Sequence, residues 1–242
     1  APQDPLAQSF LAHSKPPSAA HWFGTDRYGR DVFSRVLVAT RWSLALGLGA
    51  PLIAGTIGTA IGALAGFFGG WLDRIAGRIT DLLMAFPALL LGMMIAAALG
   101  PGFLNLVGAI AVAFIPRFIR VARASTLSVR REPYVEASFA AGRHPLRIIT
   151  VHVLPNIAGS VAVVGSLWIA TAIRIEATLS FIGLGVQPPE PSWGNIIHDG
   201  LTDLLGSPWP VITAGAALTL CVLAFNIVGD ALRDALDPEY RE

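Results

Sequence analysis

Long apolar stretches separated by short polar ones set the pattern of this chain. Mostly apolar runs cover residues 43–68, 81–99, 103–121, 156–175 and 209–228, each close to or above the roughly 20 residues an α-helix needs to cross a bilayer core. They predict an all-α fold, a polytopic bundle of membrane helices. Pro87 lies inside the second run and predicts a kink, and Gly100-Pro101-Gly102 makes an uncharged turn into the third. Residues 69–78 read as a polar hinge. Residues 1–20 read as an irregular arm. Residues 21–35 mix Trp22, Phe23 and Phe33 with Asp26, Arg27, Arg30, Asp31 and Arg35, the pattern of an amphipathic segment at headgroup level, where Trp42 extends the aromatic belt. Residues 193–204 suggest an interfacial helix, and 229–238 a polar tail. The chain thus divides into an extracytoplasmic arm and interfacial segment, 1–41, and a membrane domain, 42–242, with a polar loop at 123–155.

Within the first run, Gly58, Gly62 and Gly66 recur every fourth residue, with Ala54 one turn earlier. A stripe of small residues lets a second helix approach closely, so this span is expected inside the bundle.

The longest polar interruption, 130–156, carries its own helix signals. Pro133 suits a first helical turn, where the amide it lacks would be unpaired in any case. Gly142 suits a left-handed stop, and Pro145 prevents continuation. A helix over 133–141 would be only about 13 Å long, too short to hold its shape alone, so its form is expected to depend on docking.

Composition changes the picture in one respect. With 54% hydrophobic and 14% charged residues and a mean hydropathy of +0.62, the chain reads as an integral membrane protein. The single cysteine, Cys221, sits in an apolar run and excludes an intrachain disulfide. Net charge is +1, so the distribution of arginines matters more than their number. Seven lie between 117 and 155 and none in 100–102 or 176–208, which places the Glu136 region in the cytoplasm. Five spans then put the N-terminal arm outside, against the bias of Arg27, Arg30, Arg35 and Arg41. A sixth span before Ala1 would bring both termini inside. No signal peptide is recognisable, and the absent initial Met suggests a segment upstream.

Glu136-Ala137-Ser138, Gly142 and Leu154-Pro155 resemble the cytoplasmic EAA loop of the permease subunits of ABC importers, with Ser138 in place of the second alanine and His152 at an ordinarily apolar position. Phe23-Gly24-Thr25-Asp26 with Gly29-Arg30-Asp31, the run Ser180-Phe181-Ile182-Gly183-Leu184-Gly185 to Ser192-Trp193-Gly194, and Phe225-Asn226 with Gly229-Asp230 to Asp237-Pro238 look like the second, C-type permease of the dipeptide, oligopeptide and nickel uptake systems. The resemblance runs from Trp22 to the end. It implies a type I importer permease fold, with five spans here and a sixth missing at the N-terminus, in a bacterial inner membrane. It also implies a second homologous permease, two ATPase subunits, which carry the ATP and Mg, and an extracytoplasmic binding protein; lipid is the surrounding medium and no nucleic acid is implied. On this reading Tyr134, Glu136, Ala137, Ser138, Ala141, Gly142, Leu154 and Pro155 form the ATPase-coupling site, and Arg174, Glu176 and Asn226 are candidates for the translocation path.

Di- or oligopeptides are the expected solute, nickel or a nickel chelate the alternative. A stand-alone secondary transporter would show acidic or histidine groups within its spans, and Asp81 at a span end is the sole candidate. An intramembrane hydrolase using Ser166 and His152 is excluded by their separation of 14 positions, about 20 Å along a helix. His198, Asp199 and Asp203 are too loosely spaced for a metal site, His144 and His152 read as ordinary loop residues, and Glu136 as an exposed contact near Glu132. No phosphate-binding glycine loop occurs, so no catalytic centre or cofactor is expected in this chain.

Overall fold

The computed structural model describes residues 1–236, and the end of the expected tail, Asp237-Pro238, lies outside them. It consists of helices joined by short turns: α1 (Val32–Phe68), α2 (Gly70–Met84), α3 (Ala88–Leu99), α4 (Phe103–Val129), α5 (Pro133–Ala140), α6 (Pro145–Ile148), a π-helical turn (Ile149–Val153), α7 (Leu154–Phe181), α8 (Trp193–Leu201) and α9 (Trp209–Leu236). Among the described residues, four helical runs are long and apolar enough to cross a membrane: Val32–Phe68, Phe103–Val129, Pro145–Phe181 and Trp209–Ala235. The second expected span is a broken pair, α2 and α3, bent by 91°. The break falls at Pro87, as its missing amide predicts, but it is a full interruption where the sequence suggested a kinked continuous helix.

Residues 69–78, expected to form a hinge, are the first half of α2. Gly69 and Gly70 take positive φ of 65° and 62° and supply the turn; from there the chain is helical, with Asp73 and Asp81 on one side and Trp71, Ile75, Ile79 and Leu82 exposed on the other. The third span is also longer than expected, because α4 continues to Val129 through Pro116 and the arginines beyond it.

The residues fall into two compact units. The first comprises Ala1–Gly49, Gly92–Ile110 and Ala170–Ala224. Its N-terminal segment is not amphipathic in the way expected: Asp26, Arg30 and Asp31 of the loop and Arg35 in the first turn of α1 are all buried. Asp26 accepts from Arg30 Nε at 2.6 Å, Asp199 lies 3.4 Å from Arg30 Nη2, and Asp31 receives His21 Nδ1 at 2.9 Å. The charges that looked like a headgroup-facing pattern are turned inward and paired, as buried charges must be. Trp193 of α8 is 2% exposed and donates to the Val36 carbonyl at 3.3 Å. The sequence-distant segments around Asp26 and Trp193 thus form one packed substructure, with α8 fixed by its buried face.

The second unit comprises Ala50–Leu91, Ala111–Ile169 and, of the described residues, 225–236. Here the glycine stripe of α1 lies on the backbone of α4. A Cβ on Gly58 would come within 2.8 Å of the Ile115 carbonyl oxygen, one on Gly62 within 2.6 Å of that of Ile119, and one on Gly66 within 2.9 Å of that of Arg123. The close approach expected from the small-residue spacing is present at all three positions. Across α2 and α4, Arg123 forks onto Asp73 through both carboxylate oxygens, one at 2.7 Å, and Arg120 meets Asp81 at 3.0 Å.

Candidate functional site

The second unit also contains the polar interruption, which folds as a small assembly around a buried apolar nucleus. Ala63, Phe67, Ala122, Val135, Ile148, Ile149, Val153 and Ile157 pack together, joining the ends of α1 and α4 to α5, α6 and the start of α7. Val135 is the one buried residue of α5. Phe139 stacks on Phe67 with ring centres 5.3 Å apart, and the Arg130 guanidinium lies 5.8 Å from the same Phe67 ring. The short helix is therefore propped by its own chain before any partner arrives, a support that the sequence reading lacked.

Its ends follow the local chemistry. Pro133 occupies the first helical position. At the other end Gly142 takes φ +72°, its amide donating to the Phe139 carbonyl at 2.9 Å and that of Arg143 to the Ser138 carbonyl at 3.2 Å. That pair of bonds is a Schellman stop, which needs a left-handed residue at this place. Pro145 then opens the next helix as well as closing the gap, and the His144 side chain caps it by accepting from the Leu146 amide at 3.3 Å.

Between α6 and α7 the helix widens. The Leu154 amide reaches back five residues to the Ile149 carbonyl, directly before Pro155, which has no amide to give to residue 151. Residues 145–181 are thus one helical run, and the segment expected to exit a loop at Pro155 is already helical there. His152 is no ordinary loop residue. Its Nε2 lies 3.3 Å from Ser138 Oγ, its ring centre 5.9 Å from that of Tyr134, and its carbonyl accepts from Asn156 Nδ2 at 2.6 Å.

The expected coupling residues fall into two groups. Tyr134, Glu136, Ala137, Ala141 and Gly142 are exposed on the outer side of α5 and its stop. Ser138 and Leu154 are half-buried behind them, Leu154 packing on the nucleus, and Pro155 is exposed in the first turn of α7. The outer face is alanine-lined, with Glu136 near its start and Arg143 and Arg147 exposed beyond its end. A face of small side chains over a fixed nucleus admits close contact by another protein, with charges at its ends to set direction.

The three path candidates differ in their surroundings. In the first unit Arg174 is exposed, donating to Thr171 Oγ1 at 3.2 Å, while Glu176 is wholly buried, accepting from Ser43 Oγ at 2.9 Å and Ser180 Oγ at 2.7 Å. Asn226 is half-buried in α9 and belongs to the second unit. His198 packs on Phe181 and Asp199 pairs with Arg30, while Asp203 accepts from Ser14; among the described residues no three metal-ligating side chains converge. Sequence reasoning missed the Glu176 clasp and the Ser138–His152 contact, because Ser43 lies 133 positions from Glu176 and His152 lies 14 from Ser138.

Comparison with known proteins agrees on a single kind of relative. The family described as "Binding-protein-dependent transport system inner membrane component" matches residues 58–242. A glutathione transport system permease protein of Pectobacterium atrosepticum is 44% identical over 93% of this chain and 75% of its own. A dipeptide transport system permease protein of Alkalihalophilus pseudofirmus is 43% identical over 98% and 80%, and a probable D,D-dipeptide transport system permease protein of Escherichia coli 45% over 99% and 80%. In three dimensions, a chain of the inward-facing MetNI methionine ABC transporter superposes with a TM-score of 0.67 at 19% identity, over 84% of this chain and 96% of the other. At that identity the match speaks for the fold, a type I importer permease.

Proposed function

The chain belongs to the family of binding-protein-dependent transport system inner membrane components, and from that premise we infer that it is the C-type permease of an importer for di- or oligopeptides. As a permease subunit of an ABC importer it is a multi-pass protein of the bacterial inner membrane. The peptide assignment is supported by its relatives, which are named for dipeptides and for glutathione, itself a short peptide; none of these three is named for nickel.

The working partners follow from the same reading: a second, homologous permease completes the path, two ATPase subunits carry ATP and Mg, and an extracytoplasmic binding protein delivers the solute. The observation that carries the coupling role is α5 itself. It presents Glu136, Ala137 and Ala141 outward, while Val135 and Phe139 fix its other side to the ends of α1 and α4. An ATPase gripping that face moves a rigid object, and the Ser138–His152–Asn156 line passes the displacement to α7. The complex alternates between two states as ATP binds and is hydrolysed. Glu136 orients the contact and, as an exposed ion, contributes at most about 1 kcal/mol to it. Of the path candidates, Arg174 and Asn226 retain surface for a solute.

Cysteine introduced at Ala137 tests the coupling site. It is expected to cross-link to an ATPase subunit to an extent that changes with ATP. Absence of any cross-link in an assembled, ATP-hydrolysing complex would remove α5 as the point of contact.

A further inference from the structure

Arg117, Arg120 and Arg123 follow one another on α4 at one-turn spacing, a spacing that would let all three snorkel to one interface if the helix ended near residue 121, where the third apolar run stops. The structure separates them. Arg123 is paired with Asp73 and Arg120 with Asp81. Among the described residues Arg117 meets no carboxylate. Nor is it at a helix end: α4 runs from Phe103 to Val129, so Arg117 stands about 21 Å along the axis from its start and about 18 Å from its end. Its setting is thus the middle of a continuous helix and not a helix terminus.

The guanidinium is instead held in a cage. It lies 4.7 Å from the centre of the Trp168 ring and 5.7 Å from that of Phe114, and Nη1 donates to the Ala113 carbonyl of its own helix at 2.7 Å. Aromatic faces stabilise the cation's plane but accept nothing at its edge. A guanidinium carries five N–H donors in a fixed fork, so one helix carbonyl leaves most of that edge open, and the residue is half-buried, within reach from outside the unit. A fixed cation with an open fork and a partly dry, aromatic surround is built to take a planar anion through two parallel hydrogen bonds, and a carboxylate is that anion.

We propose that Arg117 receives the terminal carboxylate of the peptide in transit. The proposal rests on the peptide reading given above. Every linear peptide ends in this group whatever its side chains, so one such cation serves solutes of many sequences. Arg120 and Arg123 are already neutralised by Asp81 and Asp73, so of the three it is Arg117 whose fork is open.

The test uses the complete importer in proteoliposomes, with its binding protein saturated by either of two forms of one tripeptide, the free acid or the C-terminal amide. The wild type is expected to import the acid at least about tenfold faster than the amide, the worth of one charge-assisted hydrogen bond. Arg117→Gln should bring the acid down to the rate of the amide and leave the amide unchanged. Arg117→Lys, a point charge without the fork, should keep part of the preference. ATP hydrolysis stimulated by the loaded binding protein confirms assembly in each case. The proposal is overturned if Arg117→Gln leaves the ratio as in the wild type, or if it slows both forms equally, which would assign Arg117 to an acidic group of the second permease. An assembled wild type that hydrolyses ATP but imports neither form would instead refute the peptide reading, and this inference with it.

Discussion

Ser138 Oγ lies 3.3 Å from Nε2 of His152, so the two positions at which this chain departs from the family's loop pattern touch each other. Ser138 donates its own proton to the Tyr134 carbonyl at 2.9 Å, which leaves its oxygen to accept from the His152 N–H. The departures compensate: a hydroxyl on α5 is matched by a ring nitrogen on the turn that leads into α7.

The two residues should therefore be coupled. Ser138→Ala and His152→Leu are each expected to weaken solute-stimulated ATP hydrolysis, and the double variant to recover toward wild type. A double-mutant cycle on thermal stability should give a coupling of about 0.5–1 kcal/mol. Strict additivity would make the contact incidental.

Gly142 is constrained by backbone conformation and not by space, since a Cβ there would meet nothing within 4 Å. Gly142→Ala is expected to cost about 1 kcal/mol through left-handed strain, and Gly142→Asn less. Gly142→Val combined with Glu136→Arg should leave basal ATP hydrolysis in place and abolish transport; uptake at the wild-type rate in that variant would refute the coupling role.

The stripe on α1 behaves in the opposite way. Gly62→Ala puts a methyl 2.6 Å from the Ile119 carbonyl oxygen, whereas a Cβ on Gly77 in α2 meets nothing. The first substitution should lower the melting temperature in detergent by an amount corresponding to about 1–3 kcal/mol, and Gly77→Ala should be neutral or stabilising. Equal effects would mean the helices are not in backbone contact.

Glu176 is a wholly buried carboxylate whose two oxygens each accept from a serine. Glu176→Gln keeps the shape and most of the bonding and should be tolerated. Glu176→Ala strands the Ser43 and Ser180 hydroxyls, about 1–3 kcal/mol for groups left unpaired, in addition to the cavity. Thermal unfolding of the two variants decides it; a Glu176→Ala protein as stable as wild type would make the clasp ornamental.

Ion pairs on α4 should differ by burial. Asp73 and Arg123 are 23% and 39% exposed, Asp81 and Arg120 73% and 57%. Asp81→Asn is expected to leave stability unchanged and Asp73→Asn to lower it by about 1 kcal/mol at most. Raising the salt concentration should narrow that difference.

What could be read from sequence was what depends on near neighbours. The limits of α5 follow from Pro133 and Gly142 alone, and the close approach at Gly58, Gly62 and Gly66 from their spacing. Pro87 belongs to the same class by position only, since a kink was expected there and the helix breaks. Errors arose where a charge's partner is far along the chain. Asp73 made residues 69–78 look like a hinge, because Arg123, which gives that charge a place on a helix, is 50 positions away. Asp26 and Arg35 looked like surface charges because Asp199 and the cover provided by the rest of the first unit are not visible in the local pattern. Arg117 looked like the end of a span because nothing nearby shows that α4 continues to Val129.

The contact of the glycine stripe with α4 also governs how force passes through the second unit. With carbonyl oxygens resting where side chains would otherwise interdigitate, the joint has no soft layer in which to shear, and sliding one rod along the other would first require lifting it clear. The halves of α1 and α4 in this unit are therefore welded into a single beam, and any stroke delivered at α5 must swing that beam whole.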